Sequence, residues 1–388
     1  MRSGTMYVFI SAFMAIFGVL NYYIGFRGWQ TFGSYLPGPY RKVYWIIFWL
    51  LAMSYLMARI GRAYLPIAVD RGLTLIGSFW LGAMFYFILI LAVVDVVRLL
   101  DRWLGFLPPG IKNNPTAKPV VGLVVFLGVC VILAYGFWNA RHPQIRHYNL
   151  SIPKQAGILS GLHIVMVSDI HLGTIIHNGQ LVRMTDMIKE LKPDIVLFAG
   201  DIIDVNIETF VEQQMADSFK QLKPKYGVFA VLGNHEYIGG HSEEIIRYLQ
   251  EAGVQVLRDR YVKVNESIYV VGRDDRSGER FNGRSRQKLS ALMRGIDHSF
   301  PIILMDHQPA NLKEGQEQGA DLQFSGHTHR GQMFPNQFIT RLIYEEDWGY
   351  LKKGSLQVIV SSGYGTWGPP IRIGNTPEIV DISVKFTK

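Results

Sequence analysis

Seven side chains in the second half of the chain carry oxygen or nitrogen donors and follow short apolar runs. They lie in the motifs SDIHLG, AGD, GNHEY, DHQP and SGHTH and are Asp169, His171, Asp201, Asn234, His307, His327 and His329. Carboxylate, imidazole and amide donors without a thiol suit Mn, Fe or Zn. Because seven donors are too many for one ion, the pattern predicts two divalent ions that share a carboxylate, about 3.5–4 Å apart.

Two ions held in this way are suited to the hydrolysis of a phosphate ester. Such a pair lowers the pKa of a bridging water and clamps the attacking and leaving oxygens of an in-line displacement at phosphorus. Each motif alone is common, but their order, each after an apolar run, makes the hypothesis specific. Glycines precede Asp201, Asn234 and His327, which fits sharp turns and a close approach of the backbone.

The elements that must position these side chains are short β-strands that alternate with helices. Residues 178–191 have helical periodicity and lie between two buried strand-like runs, HIVMV and DIVLF. This βαβ pattern favours a parallel pair of strands. Because the carboxyl ends of parallel strands lie along one edge of a sheet, where ligands bind, the motif loops are predicted to converge there.

The first part of the chain has a different composition, which suggests a membrane region. The whole sequence is 49% hydrophobic and 18% charged, whereas a soluble domain carries about 25% charged residues. Four apolar runs cover residues 6–26, 43–58, 73–94 and 119–138, and about 20 apolar residues span a bilayer. We therefore predict a transmembrane domain over residues 1–140, a linker over 141–157 and a catalytic domain over 158–388.

Two interpretations of the apolar runs remain open: a plain anchor, or an anchor that also receives the lipid tail of a substrate. The net charge of +8 arises partly from Lys and Arg beside these runs, which favours a membrane surface. These basic residues divide equally between the two sides, so they predict no orientation. The single cysteine, Cys130, excludes an intramolecular disulfide and a cysteine-based metal cage.

The five motifs resemble those of the calcineurin-like metallophosphoesterase superfamily, over residues 158–388. The ending GYGTWGPPIRIGNTPEI is similar to the membrane-associated or exported bacterial phosphodiesterases of that superfamily. The resemblance implies an α/β fold, in which a four-layer α/β/β/α sandwich follows an N-terminal four-helix transmembrane region. It also implies a multi-pass protein of a bacterial cell membrane, and the exported relatives favour the extracytoplasmic face for the catalytic domain.

The resemblance assigns the predicted ligands to two ions. One ion is held by Asp169, His171 and His329, the other by Asn234, His307 and His327, and Asp201 bridges them.

Four further residues receive roles beside the ions. By the resemblance, His235 contacts the phosphate or protonates the leaving oxygen, and Asp204 and Glu236 orient histidines. Arg330 follows the last ligand and either contacts a phosphate oxygen or forms a surface salt bridge.

The sequence therefore predicts a membrane-anchored, metal-dependent phosphoesterase. Its substrate is expected to be a lipid or lipid-linked phosphate ester or pyrophosphate, such as a phospholipid, a polyprenyl phosphate sugar or a lipid A precursor. The alternatives are a catalytically silent metal-binding scaffold or sensor, and a nuclease. The second half shows no basic track with interleaved aromatic residues, so we expect no nucleic-acid partner.

An aromatic-rich stretch follows the last ligand motif, at residues 333–351. It is either a rim that touches the bilayer and admits a lipid or a packed surface loop. The first interpretation depends on Phe334, Phe338 and Trp348.

Overall fold

The computed structural model of the protein describes residues 3–62 and 64–387. The chain divides into two units. One extends to residue 136 and includes residues 368–370, and the other holds residues 137–367 and those from 371 onward. Each unit buries apolar residues of its own.

In the described part of the chain, five α-helices precede the first strand. They are α1 (Ser3–Phe32), α2 (Tyr40–Gly61), α3 (Ile67–Leu104), α4 (Pro109–Lys112) and α5 (Ala117–Asn139). All except α4 are long and apolar enough to cross a membrane, which confirms the four predicted apolar helices. The second predicted run is short, but its helix has 22 residues, or about 33 Å at 1.5 Å per residue.

Two polar contacts join α1 to α3. The indole Nε1 of Trp80 donates to Oδ1 of Asn21 at 2.8 Å, and Asn21 is fully buried. Arg27 forms an ion pair with Asp95, which also accepts from the hydroxyl of Tyr23 at 2.7 Å. Polar groups in apolar surroundings are costly without such partners, so these contacts favour one pairing of the two helices.

The second unit is built on two six-stranded sheets. Its strands are β1 (Gln144–Ile152), β2 (Gly161–Val167), β3 (Ile195–Ala199), β4 (Val228–Val231), β5 (Val254–Val256), β6 (Arg260–Val264), β7 (Ile268–Gly272), β8 (Ile302–Met305), β9 (Leu322–Ser325), β10 (Gly349–Lys353), β11 (Leu356–Val360) and β12 (Glu378–Phe386). The orders are β1-β12-β2-β3-β4-β5 and β10-β11-β9-β8-β7-β6. Strands β2 to β5 run parallel in the first sheet, and β7, β8, β9 and β11 run parallel in the second.

This unit also contains α-helices, some of which pack against the outer faces of the two sheets. They are α6 (Asn178–Leu191), α7 (Glu208–Glu212), α8 (Ala216–Phe219), α9 (Asn234–Ile238), α10 (Ser242–Glu251), α11 (Ser277–Asn282), α12 (Leu289–Leu292), α13 (Leu312–Glu317) and α14 (Gln337–Ile343). The bounds of α6 match the predicted helix.

Three apolar cores separate four layers. Side chains such as Ile164 and Ile303 fill the space between the sheets. Leu181 of α6 packs on the outer face of the first sheet, and Leu312 of α13 on the outer face of the second. Burying each such side chain contributes about 1.5–3 kcal/mol. The result is the α/β/β/α arrangement that the resemblance implies.

The segment predicted as a linker, residues 141–157, contains strand β1. It pairs in parallel with β12, with Gln144 opposite Glu378 and Ile152 opposite Phe386. Strand β1 lies at the edge of its sheet, and most of its side chains are exposed or half-buried. An edge strand of this kind lacks the continuous apolar run by which buried strands are recognised, so the sequence pattern missed it.

Candidate metal centre

The motif residues follow the carboxyl ends of neighbouring parallel strands in both sheets. Asp169, Asp201 and Asn234 come after β2, β3 and β4, and His307 and His327 come after β8 and β9. Backbone hydrogen bonds tie the first two loops together, because Asp169 N–H donates to Gly200 O and His171 N–H donates to Asp201 O, both at 3.0 Å. The predicted convergence of the loops is observed.

One group of donors consists of Asp169, His171 and His329. A donor atom from each lies within 4.8 Å of the others, and all three side chains are buried. The Nε2 atoms of the two histidines are 2.9 Å apart, and His329 Nε2 is 3.5 Å from Oδ1 of Asp169. These three residues are the set predicted for one ion.

A second group consists of Asp201, His307 and His327, again with donor atoms within 4.8 Å. Nδ1 of His307 donates to the carbonyl of Ala199 at 2.8 Å, which leaves Nε2 facing Oδ2 of Asp201 at 3.2 Å. Asn234 joins this group, because its Oδ1 lies 2.8 Å from Nδ1 of His327. The structure therefore brings together all the residues predicted for the second ion.

Asp201 lies between the two groups. Its Oδ2 faces Nε2 of His171 at 3.8 Å and Nε2 of His307 at 3.2 Å. Its Oδ1 accepts from the backbone N–H of His235 at 2.9 Å. One carboxylate thus faces an imidazole from each group, which is the position that a shared ligand requires.

His235 lies beside the first group and is paired with Asp204. Its ring centroid is 4.5 Å from that of His171, and its Nδ1 is 2.9 Å from Oδ1 of Asp204. The pairing of Asp204 with a histidine agrees with its predicted orienting role.

Glu236 does not orient a histidine. Its buried carboxylate accepts from three backbone N–H groups, at distances of 2.7–3.2 Å, which belong to Asp201, Ile203 and Gly233. It therefore joins the loops after β3 and β4. The GNHE motif drew attention to this residue, but its sequence position could not show that the partners are backbone groups.

The backbone of the site is held in an uncommon conformation. Five of the predicted ligands have positive φ angles, between 47° and 72°: Asp169, His171, Asp201, His327 and His329. Such conformations are costly for residues with a Cβ and cluster at functional sites.

Glycines provide the close approaches that the sequence predicts. A Cβ on Gly233 would collide with Asp201, one on Gly326 with Asp169, and one on Gly200 with the ring of His307. Larger residues at these three positions would push the motif loops apart.

Burial and neighbouring charges divide the histidines into two classes. Burial lowers the pKa of His171 to about 3, that of His327 to about 4, and that of His329 well below its usual value. Burial also acts on His307 and His235, but the charge of Asp201 overcomes it. The pKa of His307 is raised well above its usual value, and that of His235 rises to about 9 with the help of Asp204.

Arg372 was not identified from the sequence. It is fully buried, donates to the carbonyl of Gly365 and to Oδ1 of Asn375, and places Nη2 3.3 Å from Nδ1 of His329. Arg372 therefore packs against the loop that carries His329. Nothing in the residues around it distinguishes a buried arginine from a surface one.

Arg330 is stacked on an aromatic ring. Its guanidinium carbon lies 3.8 Å from the ring centroid of Trp348, and Arg146 lies 4.5 Å from the same centroid. The indole N–H of Trp348 donates to Glu378 at 3.2 Å. The predicted contact of Arg330 with a phosphate stays a prediction.

The donor set fits divalent metal ions. It offers carboxylate oxygens, imidazole nitrogens and an amide oxygen, as first-row divalent metals prefer. Within the described residues, Nδ1 of His171 and Nε2 of His307 are buried without a hydrogen-bond partner. Buried polar atoms nearly always form hydrogen bonds, and Nε2 of His307 lies 3.2 Å from the Asp201 carboxylate without hydrogen-bond geometry, which fits a ligand between the two residues.

Comparisons with known proteins agree with this geometry. The family described as calcineurin-like phosphoesterase matches residues 162–331. A metallophosphoesterase of Aquifex aeolicus is 35% identical over 66% of this chain and 98% of its own length. One from Campylobacter jejuni is 28% identical over 98% of this chain and 99% of its own.

A relative in Danio rerio is described as a transmembrane protein with a metallophosphoesterase domain. It is 31% identical over 71% of this chain and 64% of its own length. The chain belongs to the calcineurin-like phosphoesterase family. It is a metal-dependent phosphoesterase, and its four apolar helices make it a membrane protein.

Proposed function

We propose that the protein is a membrane-anchored phosphoesterase with a two-metal centre, and that it hydrolyses a phosphate ester or pyrophosphate of a lipid or lipid-linked substrate. Water is the nucleophile. The observation that carries the proposal is the carboxylate of Asp201, whose Oδ2 faces His171 on one side and His307 on the other.

The seven donors divide between two cations that share one carboxylate. Asp169, His171 and His329 would hold one cation and Asn234, His307 and His327 the other, with Asp201 as the shared ligand; the donor atoms of these residues lie close together. Two cations held there would lower the pKa of a bound water molecule and would stabilise the attacking and leaving oxygens. The oxygen and nitrogen donors suit Mn, Fe or Zn, and manganese is the first ion to test.

His235 supplies the proton in this proposal. The charges of Asp201 and Asp204 raise its pKa against the effect of burial, to about 9 in the metal-free protein, and so favour the protonated imidazole. The contact with Asp204 orients the ring. The imidazolium can then donate to the phosphate oxygen that leaves, while Arg330 contacts another phosphate oxygen.

A lipid substrate is supported by the helices that accompany the site. Four helices can cross a membrane, so the chain meets its substrate where lipids are concentrated. A phospholipid, a polyprenyl phosphate sugar or a lipid A precursor has the required phosphate. We place the catalytic unit on the extracytoplasmic face, and proteolysis of intact cells tests this: protection of the unit would contradict it.

The test is the hydrolysis of bis-p-nitrophenyl phosphate and p-nitrophenyl phosphate by metal-free protein to which manganese is added. Wild type is compared with Asp201→Asn and His235→Ala, and with Asp186→Asn, which changes an exposed carboxylate. We expect manganese-dependent activity that both site variants lose and Asp186→Asn keeps. Full activity of Asp201→Asn would overturn the two-metal proposal.

The lipid preference needs a separate comparison. The same protein is assayed with soluble diesters and with membrane lipid extracts, and phosphate or headgroup release is followed. Turnover of soluble diesters as fast as that of any lipid would contradict the lipid substrate, but it would leave the two-metal proposal standing.

A further inference from the structure

A cluster of large apolar side chains is exposed on and beside α14. We call it the apolar rim; it consists of Phe334, Phe338, Ile339, Leu342, Ile343 and Trp367. Leu342 is 88% exposed. Phe334 and Phe338 are in ring contact, with centroids 6.0 Å apart. Trp367 lies beside the start of this cluster, because it forms two hydrogen bonds with Gln332, which is two residues before Phe334.

The apolar rim differs from the rest of this unit's surface. The other large apolar residues that are exposed in the unit occur one at a time along the chain, as do Ile158, Val182 and Val211. Single exposed apolar residues are normal, whereas a contiguous patch marks an interaction surface. On α14, positions 338, 339, 342 and 343 recur at the spacing of one helical face, so a single flat surface can cover them together.

The rim borders the candidate metal centre on two sides. The ring of Trp367 lies 6.2 Å from that of His235, and the ring of Tyr344, directly after α14, lies 6.1 Å from that of His327. The backbone carbonyl of Asp347 accepts from Thr328 of the last ligand motif, and its Oδ2 accepts from Thr340 of α14. A molecule that covers the rim is therefore held next to the metal ligands.

Cations accompany the apolar residues. Arg341 lies on α14 with about half of its side chain exposed, 3.9 Å from Asp347. Arg276 is exposed and lies near Tyr344. Burial raises the pKa of Tyr344, and the positive charge of Arg276 opposes that shift. The neighbouring Glu345 is paired with Lys353. Apolar and aromatic side chains flanked by arginines suit the boundary between lipid headgroups and acyl chains.

We infer that the apolar rim inserts into the interfacial region of a lipid bilayer and so brings phosphate esters of the headgroup layer to the metal centre. The occupant is a lipid surface because the same chain carries four helices that can cross a membrane, which keeps a bilayer at high effective concentration. The identity of the substrate rests on the proposed function, but contact with lipid can be measured without any turnover.

Trp348 does not belong to this surface. Its ring is covered by Arg146 and Arg330, and its N–H is bonded to Glu378. Of the three residues that the sequence suggested for the rim, Phe334 and Phe338 are exposed, and Trp348 is a packing residue.

The first test places an environment-sensitive fluorophore on the rim of the full chain in nanodiscs that hold one copy. Leu342→Cys is labelled in a Cys130→Ala background, and Ile158→Cys, a residue 91% exposed outside the rim, is the control. Nanodiscs of phosphatidylcholine and phosphatidylglycerol carry nitroxide quenchers on either the headgroup or the acyl chain. We expect a blue shift and quenching at position 342 and neither at position 158.

Emission at position 342 that matches the control would overturn the inference. The rim would then serve a protein partner or a second copy of the chain, neither of which is present in these nanodiscs.

The second test separates docking from chemistry. The double variant Phe338→Asn/Leu342→Asn is compared with Ile158→Asn/Val211→Asn, which changes exposed apolar residues elsewhere. The substrates are ethyl p-nitrophenyl phosphate in solution and hexadecyl p-nitrophenyl phosphate in the bilayer. We expect the rim variant to lose about tenfold or more on the bilayer substrate and to keep wild-type turnover of the soluble one.

Equal rates of the rim variant and its control on the bilayer diester would contradict a role of the rim in turnover. If the wild type cleaves the soluble diester but not the hexadecyl one, the lipid substrate of the proposed function fails. The quenching at position 342 then still decides whether the rim contacts lipid.

Discussion

Nδ1 of His235 lies 2.9 Å from Oδ1 of Asp204, and neither residue is needed to complete the two donor groups around Asp201. The pair is nevertheless adjacent to them, since His171 is in ring contact with His235. In the proposed mechanism the residues that would hold metal are distinct from the residue that would donate a proton, so the two roles can be tested independently.

His235→Ala is expected to lower kcat by about 10²–10⁴-fold, the range for loss of general acid catalysis. Metal content should stay close to that of wild type, because the seven predicted ligands remain. The measurement pairs diester hydrolysis with metal analysis of the same preparation. His241→Ala, which changes a partly exposed histidine paired with Glu244, is the control. Loss of metal from His235→Ala in proportion to activity would reassign His235 as a ligand.

The pH profile of kcat should report the contact between His235 and Asp204. Without metal the pKa of His235 is raised to about 9, and because the protonated imidazole is the acid, activity falls as the pH rises through the pKa of His235 in the metal-loaded protein. Asp204→Asn removes one of the charges that raise this pKa, and the basic limb should move to lower pH. Bound cations lower the pKa of His235 in both proteins, so the difference between the profiles is compared. An unmoved limb would contradict His235 as the acid.

Metal binding should release protons from His307. Because the charge of Asp201 outweighs burial and raises the pKa of His307 well above its usual value, this imidazole is protonated in the metal-free protein at pH 7. It must lose that proton to bind through Nε2. Calorimetry in buffers of different ionisation enthalpy should give release of at least about one proton per chain, and affinity should increase with pH. His307→Gln should release about one proton fewer than wild type, and His298→Gln should release as many as wild type.

Arg372→Leu should destabilise the catalytic unit by at least about 2 kcal/mol, since it leaves buried acceptors without a donor. The acceptors are the carbonyl of Gly365 and Oδ1 of Asn375. Burial lowers the pKa of Arg372 to about 10, so the group is charged at neutral pH. Urea unfolding of the metal-free protein measures the change, and the exposed Arg247→Leu should unfold like wild type.

The proximity of the donor residues could be predicted from the sequence because each donor follows a recognisable buried strand. Parallel strands such as β2 and β3 place their carboxyl ends together, so Asp169 and Asp201 were expected at one edge, and they are found there. The order of the motifs was enough for this inference, because the carboxyl ends of parallel strands lie along one edge of any such sheet.

Other parts depend on contacts between distant residues, which no local pattern reveals. Strand β1 forms because β12 offers a partner that lies far along the chain. The three backbone partners of Glu236 and the burial of Arg372 likewise follow from how loops meet. In the aromatic stretch, composition could not decide that Phe338 is exposed while Trp348 is covered by arginines.

The position of β12 has a consequence for biosynthesis. This strand lies between β1 and β2, although it is translated after every other strand of the sheet. The four apolar helices emerge from the ribosome first and can enter the membrane while the sheet still lacks its second strand. The loop that carries Asp169 follows β2, a direct neighbour of β12. A ribosome stalled shortly before residue 378 should therefore hold an inserted chain that cannot yet bind its metals tightly.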